Sequence, residues 1–264
     1  MNFQSPRRRY RAIWISDVHL GTRQCRSDML LDFLRWHECD TLYLVGDIID
    51  GWSLRKSWFW RDIDNELVQR ILQRASDGTE VIYVPGNHDE AVRDYFGMEF
   101  AGVQVREEAI HETADGRRLL IIHGDEFDSV VRYAKWLAHL GDTAYAIALS
   151  ANHWLNVIRR RLGYPYWSLS AFLKQTVKNA VQYISRYETL VAEAARERGV
   201  DGVVCGHIHH AEMRDIDGIL YCNDGDWVES CTALVEHFDG SLEIVHWVDP
   251  AQATQGARPL AMAS

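Results

Sequence analysis

Short apolar runs alternate with helical patterns along most of the chain. Five runs rich in Val, Ile, Leu, Tyr and Trp have the length and composition of buried strands, and they cover residues 11–15, 41–45, 80–84, 119–122 and 202–205. Two segments between them place apolar residues on one helical face, namely Leu30, Phe33, Leu34 and His37, then Ile63, Leu67, Val68, Ile71, Leu72 and Ala75. The alternation predicts an α/β fold with a parallel sheet and helical crossovers.

The pattern changes after the last of these runs. Residues 211–216, 219–223, 232–237 and 242–247 read as strands without intervening helices, with turns at Asp217-Gly218 and Asp239-Gly240. The sequence therefore predicts a second, more antiparallel sheet in the C-terminal part of the chain.

Residues 128–199 interrupt the alternation with several helical patterns that carry many aromatic residues. We interpret this stretch as a helical insertion within a single domain of residues 1–250. Three roles stay open for it: a cap that packs on the core, a cap over an acyl or nucleotide pocket, and a membrane-surface patch. The tail, residues 251–264, is small, polar and Pro-containing, and we expect it to be poorly ordered.

Composition narrows the class of protein. Of the 264 residues 47% are apolar and 25% charged, which is ordinary for a globular protein with a sizeable core. Five cysteines without a C-x-x-C pair favour reduced thiols, and no apolar run approaches the roughly 18 residues of a membrane span. The net charge of −10 disfavours long duplex nucleic acid, although bound divalent metals would make one acidic pocket attractive to phosphate.

Each predicted buried strand is followed at once by a short polar cluster. The five clusters are Asp17-Val18-His19, Gly46-Asp47-Ile48-Ile49-Asp50, Gly86-Asn87-His88-Asp89, His123-Gly124-Asp125 and Gly206-His207-Ile208-His209. Ligands of parallel sheets bind beyond the carboxyl ends of the strands, where these clusters should meet. Their Asp, Asn and His side chains offer oxygen and nitrogen atoms suited to two divalent metals.

Taken singly, most clusters have an ordinary structural explanation. Asp-x-His is also typical of a helix-capping Asp beside a surface His, and Gly-Asp is a common turn. The sequence Gly86-Asn87-His88-Asp89 is more specific, because its chance frequency per position is roughly one in 10⁵ at average residue usage. Five clusters in order favour a two-metal site, since every independent structural explanation would have to hold at once.

In type, order and spacing, these clusters resemble the five motif blocks of the calcineurin-like metallophosphoesterase superfamily over approximately residues 11–209. The resemblance implies a four-layer α/β/β/α sandwich of two mixed sheets, with the helical insertion before the last metal motif. It also implies a metal-dependent phosphoesterase with two divalent ions. Manganese is our first choice, because the ligands are nitrogen and oxygen without thiolate, while iron, zinc and magnesium stay open.

The resemblance also assigns residues to roles. One metal would be held by Asp17, His19, Asp47 and His209. The other would be held by Asp47, Asn87, His123 and His207. By position, His88 would stabilise the phosphoryl group or protonate the leaving oxygen, and Asp50 would orient His88.

Within the superfamily, the aromatic insertion and the stretch from Tyr221 to Trp227 are similar to those of the UDP-2,3-diacylglucosamine hydrolases of lipid A synthesis. Those hydrolases carry Arg at the position of His88 and an acidic pair at that of Phe127-Asp128-Ser129, so the resemblance is to a divergent branch. The substrate would be UDP-2,3-diacylglucosamine or a related lipid-linked nucleotide. Lys174 and Lys178, on successive helical turns, would meet the nucleotide phosphates or simply be solvated.

Two other functions stay open. A nuclease or nucleotide phosphodiesterase would need a basic groove or a short cap, and a non-catalytic scaffold would have lost ligands, whereas this chain keeps all of them. We expect a cytoplasmic protein whose partner is a phosphorylated small molecule or a lipid-linked nucleotide. The oligomeric state stays open, as does peripheral contact of the insertion with the inner membrane.

Overall fold

The computed structural model describes residues 8–130, 162 and 169–247, with the side chains of 128–130, 169–180 and 182 outside the description. The strands are β1 Arg8–Ile15, β2 His37–Val45, β3 Glu80–Val84, β4 Glu99–Phe100, β5 Val103–Val105, β6 Ala109–Glu112, β7 Arg118–Ile121, β8 Gly202–Cys205, β9 Glu212–Ile216, β10 Ile219–Asn223, β11 Thr232–Glu236 and β12 Leu242–His246. The helices are α1 Ser27–Trp36, α2 Gly51–Lys56, α3 Asp62–Ser76 and α4 Leu169–Glu197, with 3₁₀ helices at Glu90–Tyr95 and Asp125–Val130.

The chain divides into two compact units. One comprises Met1–Asp125 and Ala192–Ser264, and the other comprises Glu126–Val191. The second unit includes the N-terminal part of α4. The predicted tail, residues 251–264, lies outside the described residues, as does most of the predicted insertion before α4. Within the described part of the chain, no helix is both long enough and apolar enough to cross a membrane.

Two mixed sheets form the first unit. The large sheet has the order β12-β11-β1-β2-β3-β5-β4, in which β1, β2, β3 and β5 are parallel. The small sheet has the order β6-β7-β8-β10-β9, in which β7, β8 and β10 are parallel. Antiparallel strands complete both sheets at their edges. The predicted α/β class with two mixed sheets is confirmed.

Residues along β1 alternate between two hydrophobic cores. Ile13 and Ile15 belong to a core that also contains apolar residues of α1 and α3. Ala12 and Trp14 belong to a second core, which contains residues of both sheets. Both faces of the central strands are therefore buried, which explains why their sequences are continuous apolar runs rather than alternating ones.

Two expectations from the sequence pattern were wrong. The four C-terminal strands do not form a sheet of their own: β9 and β10 extend the small sheet, while β11 pairs antiparallel with β1 and carries β12 to the edge of the large sheet. His37, predicted on the face of the first helix, is the first residue of β2, and its Nδ1 lies 2.8 Å from the carbonyl oxygen of Phe33. Residue pattern fixes which segments are strands, but partner choice depends on connections and packing that a local pattern does not contain.

A buried polar group joins α1 to α3. The Asp64 side chain accepts a hydrogen bond from Ser27 Oγ at 2.5 Å and from the Arg61 backbone at 2.8 Å. The Arg61 guanidinium lies 2.8 Å from the same carboxylate. Burial alone would raise the pKa of Asp64, but the hydrogen bonds from Arg61 and Ser27 outweigh it and lower the pKa below its usual value. The start of α1, which follows the β1 loop, is thereby fixed to α3.

We expect Asp64→Asn to destabilise the fold by about 1.5–3 kcal/mol at neutral pH, the range for a buried hydrogen bond to a charged group. Because the folded pKa of Asp64 is lowered, its contribution is present above the unfolded pKa of 3.8 and is lost as the pH falls through the folded value. The stability difference between the two proteins should therefore shrink below about pH 4. Urea unfolding across this pH range measures it, with the exposed Asp62→Asn on the same helix as the matched control. A gap that stays constant with pH would contradict the assignment.

Candidate metal centre

The loops after β1 and β2 continue the pairing of their strands into the polar clusters. The amide of Asp17 donates to the Gly46 carbonyl at 3.1 Å, and the amide of His19 donates to the Asp47 carbonyl at 2.9 Å. The loop after β8 is attached to both sheets, because the Gly206 amide donates to His123 and the His207 amide donates to Asp17 Oδ2. Backbone hydrogen bonds thus hold the loops in place before any ligand is considered.

Several residues of these loops have left-handed backbone conformations. Asp17, His19, Asp47, His207 and His209 have φ values between 49° and 70°. Such values are uncommon for residues other than glycine and cluster at functional sites, where the surrounding structure stabilises them. Here they occur in the loops that follow β1, β2 and β8, directly beyond the carboxyl ends of these strands. The local strain is a signal that sequence pattern alone did not give.

The clusters converge into three groups whose ligand atoms lie within 4.8 Å of one another. These groups are Asp17, His19 and His209; His19, Asp47 and His88; and Asp47, His123 and His207. All five polar clusters of the sequence contribute at least one residue. Because the groups share His19 and Asp47, they form one continuous site.

Asp17 lies at one end of the site and is fully buried. Its Oδ2 accepts from Ser16 Oγ and from the His207 amide, both at 2.7 Å, while its Oδ1 lies 3.0 Å from His209 Nε2. Burial alone would raise the pKa of Asp17, but the charge of His209 and hydrogen bonds from His19 and His209 lower it well below its usual range. The carboxylate is therefore anionic in the folded protein.

Asp47 is central and also fully buried. Its Oδ1 accepts from the His88 amide at 2.8 Å and lies 3.5 Å from His123 Nε2. Its Oδ2 lies 3.9 Å from the Nε2 atoms of both His19 and His88. Burial would raise the pKa of Asp47, but the neighbouring His123 lowers it far below its usual value. Each carboxylate oxygen thus faces a different set of imidazoles.

The imidazole of His123 has the orientation of a metal ligand. His123 Nδ1 lies 2.8 Å from the Val45 carbonyl, and a hydrogen bond donated there leaves the lone pair of the neutral ring on Nε2, towards Asp47. Burial would lower the pKa of His123, but the charge of Asp47 raises it to about 10. His19 responds in the same way, because hydrogen bonds to Asp17 and Asp50 outweigh burial and raise its pKa to about 9. The carboxylates thus make the electrostatic potential at the site negative, and a negative potential favours the binding of a cation.

Several inward-facing atoms fit a cation better than they fit the protein alone. Asp47 Oδ2, Asn87 Oδ1 and His123 Nε2 are buried and have no hydrogen-bond partner among the described residues. An unsatisfied buried polar atom costs roughly 1–3 kcal/mol, and more when it is charged. Oxygen and imidazole nitrogen are ligands that first-row divalent metals accept. The residues present therefore fit divalent metal ions.

Three glycines leave room for the candidate ligand side chains. A Cβ on Gly86 would lie 2.4 Å from Asp47 Oδ1 and 2.6 Å from His123 Nε2. A Cβ on Gly46 would enter the His123 ring, and one on Gly206 would lie 2.6 Å from Asp17 Oδ2. The glycine that opens three of the polar clusters is thus required by close approach to the ligand side chains.

His88 belongs to the middle group with His19 and Asp47, and Asp50 lies beside His88. Asp50 Oδ2 is 3.1 Å from His88 Nδ1 and 3.4 Å from His19 Nδ1, while Asp50 Oδ1 caps α2 by accepting from the Ser53 amide at 2.6 Å. Burial would raise the pKa of Asp50, but hydrogen bonds from His19, His88 and Ser53 lower it far below its usual value. The structure brings His88 and Asp50 together, and the catalytic roles assigned to them stay predictions.

Sequence reasoning gave no role to two further buried carboxyl groups. Asp89 accepts from the Ile48 and Gly86 amides at 2.8 and 2.6 Å and so ties the β2 loop to the β3 loop. Asp224 Oδ1 lies 2.6 Å from Ser16 Oγ. Ser16 Oγ donates to Asp224 Oδ1, and burial and the charge of Asp17 raise the pKa of Asp224 well above its usual value. The signal in the sequence was their position, because Asp89 ends the third polar cluster and Asp224 lies in the stretch from Tyr221 to Trp227.

Lys174 and Lys178 lie in α4, but their side chains lie outside the described residues. Their predicted contact with nucleotide phosphates therefore stays a prediction.

Comparison with known proteins finds relatives that match most of the chain. The chain is 25% identical over 221 residues to the UDP-2,3-diacylglucosamine hydrolase of Chromohalobacter salexigens, covering 77% of this chain and 82% of that protein. It is 24% identical to the protein of the same name from Porphyromonas gingivalis, covering 83% and 91%. Among solved structures, a phosphoesterase from E. coli covers 90% of this chain and 99% of its own, with 14% identity and a TM-score of 0.41.

The family model described as calcineurin-like phosphoesterase matches residues 10–211. This match spans more than half of the chain and includes all five polar clusters. The chain belongs to the calcineurin-like phosphoesterase family and is a metal-dependent phosphoesterase.

Proposed function

We propose that the protein is a hydrolase that holds two divalent metal ions and cleaves a phosphoester or pyrophosphate bond. The observation that carries the proposal is the buried carboxylate of Asp47, whose two oxygens face different imidazoles and one of which lacks a hydrogen-bond partner among the described residues. A carboxylate in this position suits a bridge between two ions.

The proposed ligands divide into two sets, one at each end of the site. Asp17, His19, Asp47 and His209 hold one ion, and Asp47, Asn87, His123 and His207 hold the other. The proximity of these carboxylates and imidazoles supports this division, as does the buried, unsatisfied Asn87 Oδ1. Nitrogen and oxygen ligands without thiolate support manganese as the proposed metal.

The chemistry divides between the ions and the side chains. When bound, a pair of divalent ions supplies charge neutralisation at the phosphoryl group and activation of the attacking water. His88 has its Nδ1 beside the Asp50 carboxylate, so its Nε2 is the nitrogen that donates a proton to the leaving oxygen. Asp50 orients the imidazole through Nδ1 and is itself fixed by the Ser53 amide.

For the substrate, we propose UDP-2,3-diacylglucosamine or a related lipid-linked nucleotide, which places the protein in lipid A synthesis. Relatives of that name match most of this chain and most of their own length, which supports the proposal. A cytoplasmic location agrees with the five buried cysteines, which form no disulfide among the described residues. Membrane contact through residues 128–199 stays a prediction.

Removal of metal and a substrate panel test the function directly. We expect chelated protein to lose hydrolysis and Mn²⁺ to restore it, with UDP-2,3-diacylglucosamine cleaved faster than p-nitrophenyl phosphate or its bis ester. Product release at each metal-to-protein ratio is the measurement. Preference for the bis ester would support a phosphodiesterase instead, and hydrolysis of none of the three would support a scaffold.

Gly86→Ala tests the proposed ligand arrangement. The added Cβ must displace Asp47 or His123, so we expect less than half of the wild-type metal content and a comparable loss of turnover, with the fold retained. Elemental analysis of the dialysed protein and circular dichroism measure the two effects. Gly116→Ala is the control for destabilisation alone, because its φ of +90° strains an added side chain while its Cβ meets nothing within 4 Å. Full metal content in Gly86→Ala would contradict the arrangement.

His88→Ala separates proton donation from metal binding. We expect metal content to be unchanged and turnover of phenyl phosphate, whose leaving group needs a proton, to fall by about 10²–10⁴-fold. Turnover of p-nitrophenyl phosphate, whose leaving group is a stable anion, should fall much less. Equal turnover of phenyl phosphate by the variant and the wild type would remove His88 from the mechanism.

A further inference from the structure

The indole of Trp52 lies against the imidazole of His88. Their ring centroids are 4.3 Å apart with an interplanar angle of 38°, which is closer than the contact between His88 and His19 at 4.6 Å. Trp52 is the second residue of α2, two positions after Asp50, and 40% of it is exposed. The residue therefore covers one side of His88 while itself remaining open to solvent.

Glu90 holds this indole in place. Trp52 Nε1 donates to Glu90 Oε1 at 3.3 Å, and Arg55 Nη1 lies 3.8 Å from the same oxygen. Glu90 begins the 3₁₀ helix that follows the cluster containing His88, whereas Trp52 and Arg55 belong to α2. The contact thus links the β2 loop to the β3 loop on the outer side of the site.

The other restraints on His88 leave its ring orientation underdetermined. Its backbone is fixed, because its amide donates to Asp47 Oδ1 and its carbonyl accepts from Gly51. Its Nδ1 lies 3.1 Å from Asp50 Oδ2. The same Asp50 oxygen is also 3.4 Å from His19 Nδ1, so it is shared between two imidazoles. The contacts that remain to fix the rotation of the ring are the edge-to-face contact with His19 and the closer contact with the Trp52 indole.

We propose that Trp52 is a positioning residue that fixes the His88 imidazole at the orientation needed for proton donation to the leaving group. The inference rests on the proposed function, in which His88 is the proton donor. Aromatic pairs at this distance are favourable beyond their burial, and a ring held on one face by an indole loses the rotational freedom that a shared carboxylate would leave. Trp52 acts through His88 and has no role in holding metal.

The same segment contains a matched control. Trp58 is 76% exposed and stacks on Trp60 at 6.2 Å, so it provides an indole of the same segment without the contact to His88. Glu90→Ala provides a second route to the same question, because it removes the acceptor of the Trp52 indole from an exposed position and leaves the indole itself intact.

The experiment is a double-mutant cycle with Trp52→Ala and His88→Ala, measured on phenyl phosphate and p-nitrophenyl phosphate. Trp52→Ala should lower kcat for phenyl phosphate about tenfold with KM and metal content unchanged, and should lower kcat for p-nitrophenyl phosphate by less than twofold. Trp52→Phe should restore most of the loss, Glu90→Ala should show a smaller loss in the same direction, and Trp58→Ala should show none. In the His88→Ala background, Trp52→Ala should have no further effect.

Two results would overturn the inference. An equal loss from Trp52→Ala with and without His88 would mean that the indole acts on the substrate directly, and a loss confined to KM would mean the same. Failure of the proposed function has a different signature, since His88→Ala would then leave phenyl phosphate turnover intact. If Trp52→Ala does not fold, Glu90→Ala decides the question, because unchanged kcat in that variant would contradict the positioning role.

Discussion

Two fully buried carboxylates, Asp17 and Asp47, are the constraint on which the rest of this structure depends. A buried charge that lacks compensation costs several kcal/mol, so the protein must surround it with donors or cations. Histidines from four loops and the amides of His88 and His207 supply part of that compensation. The oxygen of Asp47 that remains unsatisfied among the described residues is the part that a divalent ion completes.

Holding these charges together requires a rigid frame. Parallel pairing of β1 with β2 continues past the ends of the strands and fixes the backbone of Asp17 and His19 in left-handed conformations. The glycine at the start of each of three clusters admits the ligand side chains at distances that no Cβ would allow. Strain and close approach are stable here because both faces of the central strands are buried in two hydrophobic cores.

A second layer of polar residues surrounds the ligands and connects the two sheets. Asp224, at the end of the small-sheet strand β10, reaches Ser16 and through it Asp17 of the large sheet. Asp89 accepts from the loops after β2 and β3, and Asp50 joins α2 to His88. Polar contacts around the candidate metal centre therefore help to hold the two sheets together.

The sequence by itself determined the identity of the candidate ligands and their position after strands, because the polar clusters interrupt apolar runs that are readable locally. It also predicted the helix α3, and it predicted the strands β3, β8 and β10 with the bounds that the structure has. Tertiary structure decided the sheet to which β11 and β12 belong and the contact of Trp52 with His88. It also decided that His37, predicted in a helix, begins strand β2. These features depend on residues distant in the chain or on loop conformation, and burial and pairing between such residues are not encoded in any local period.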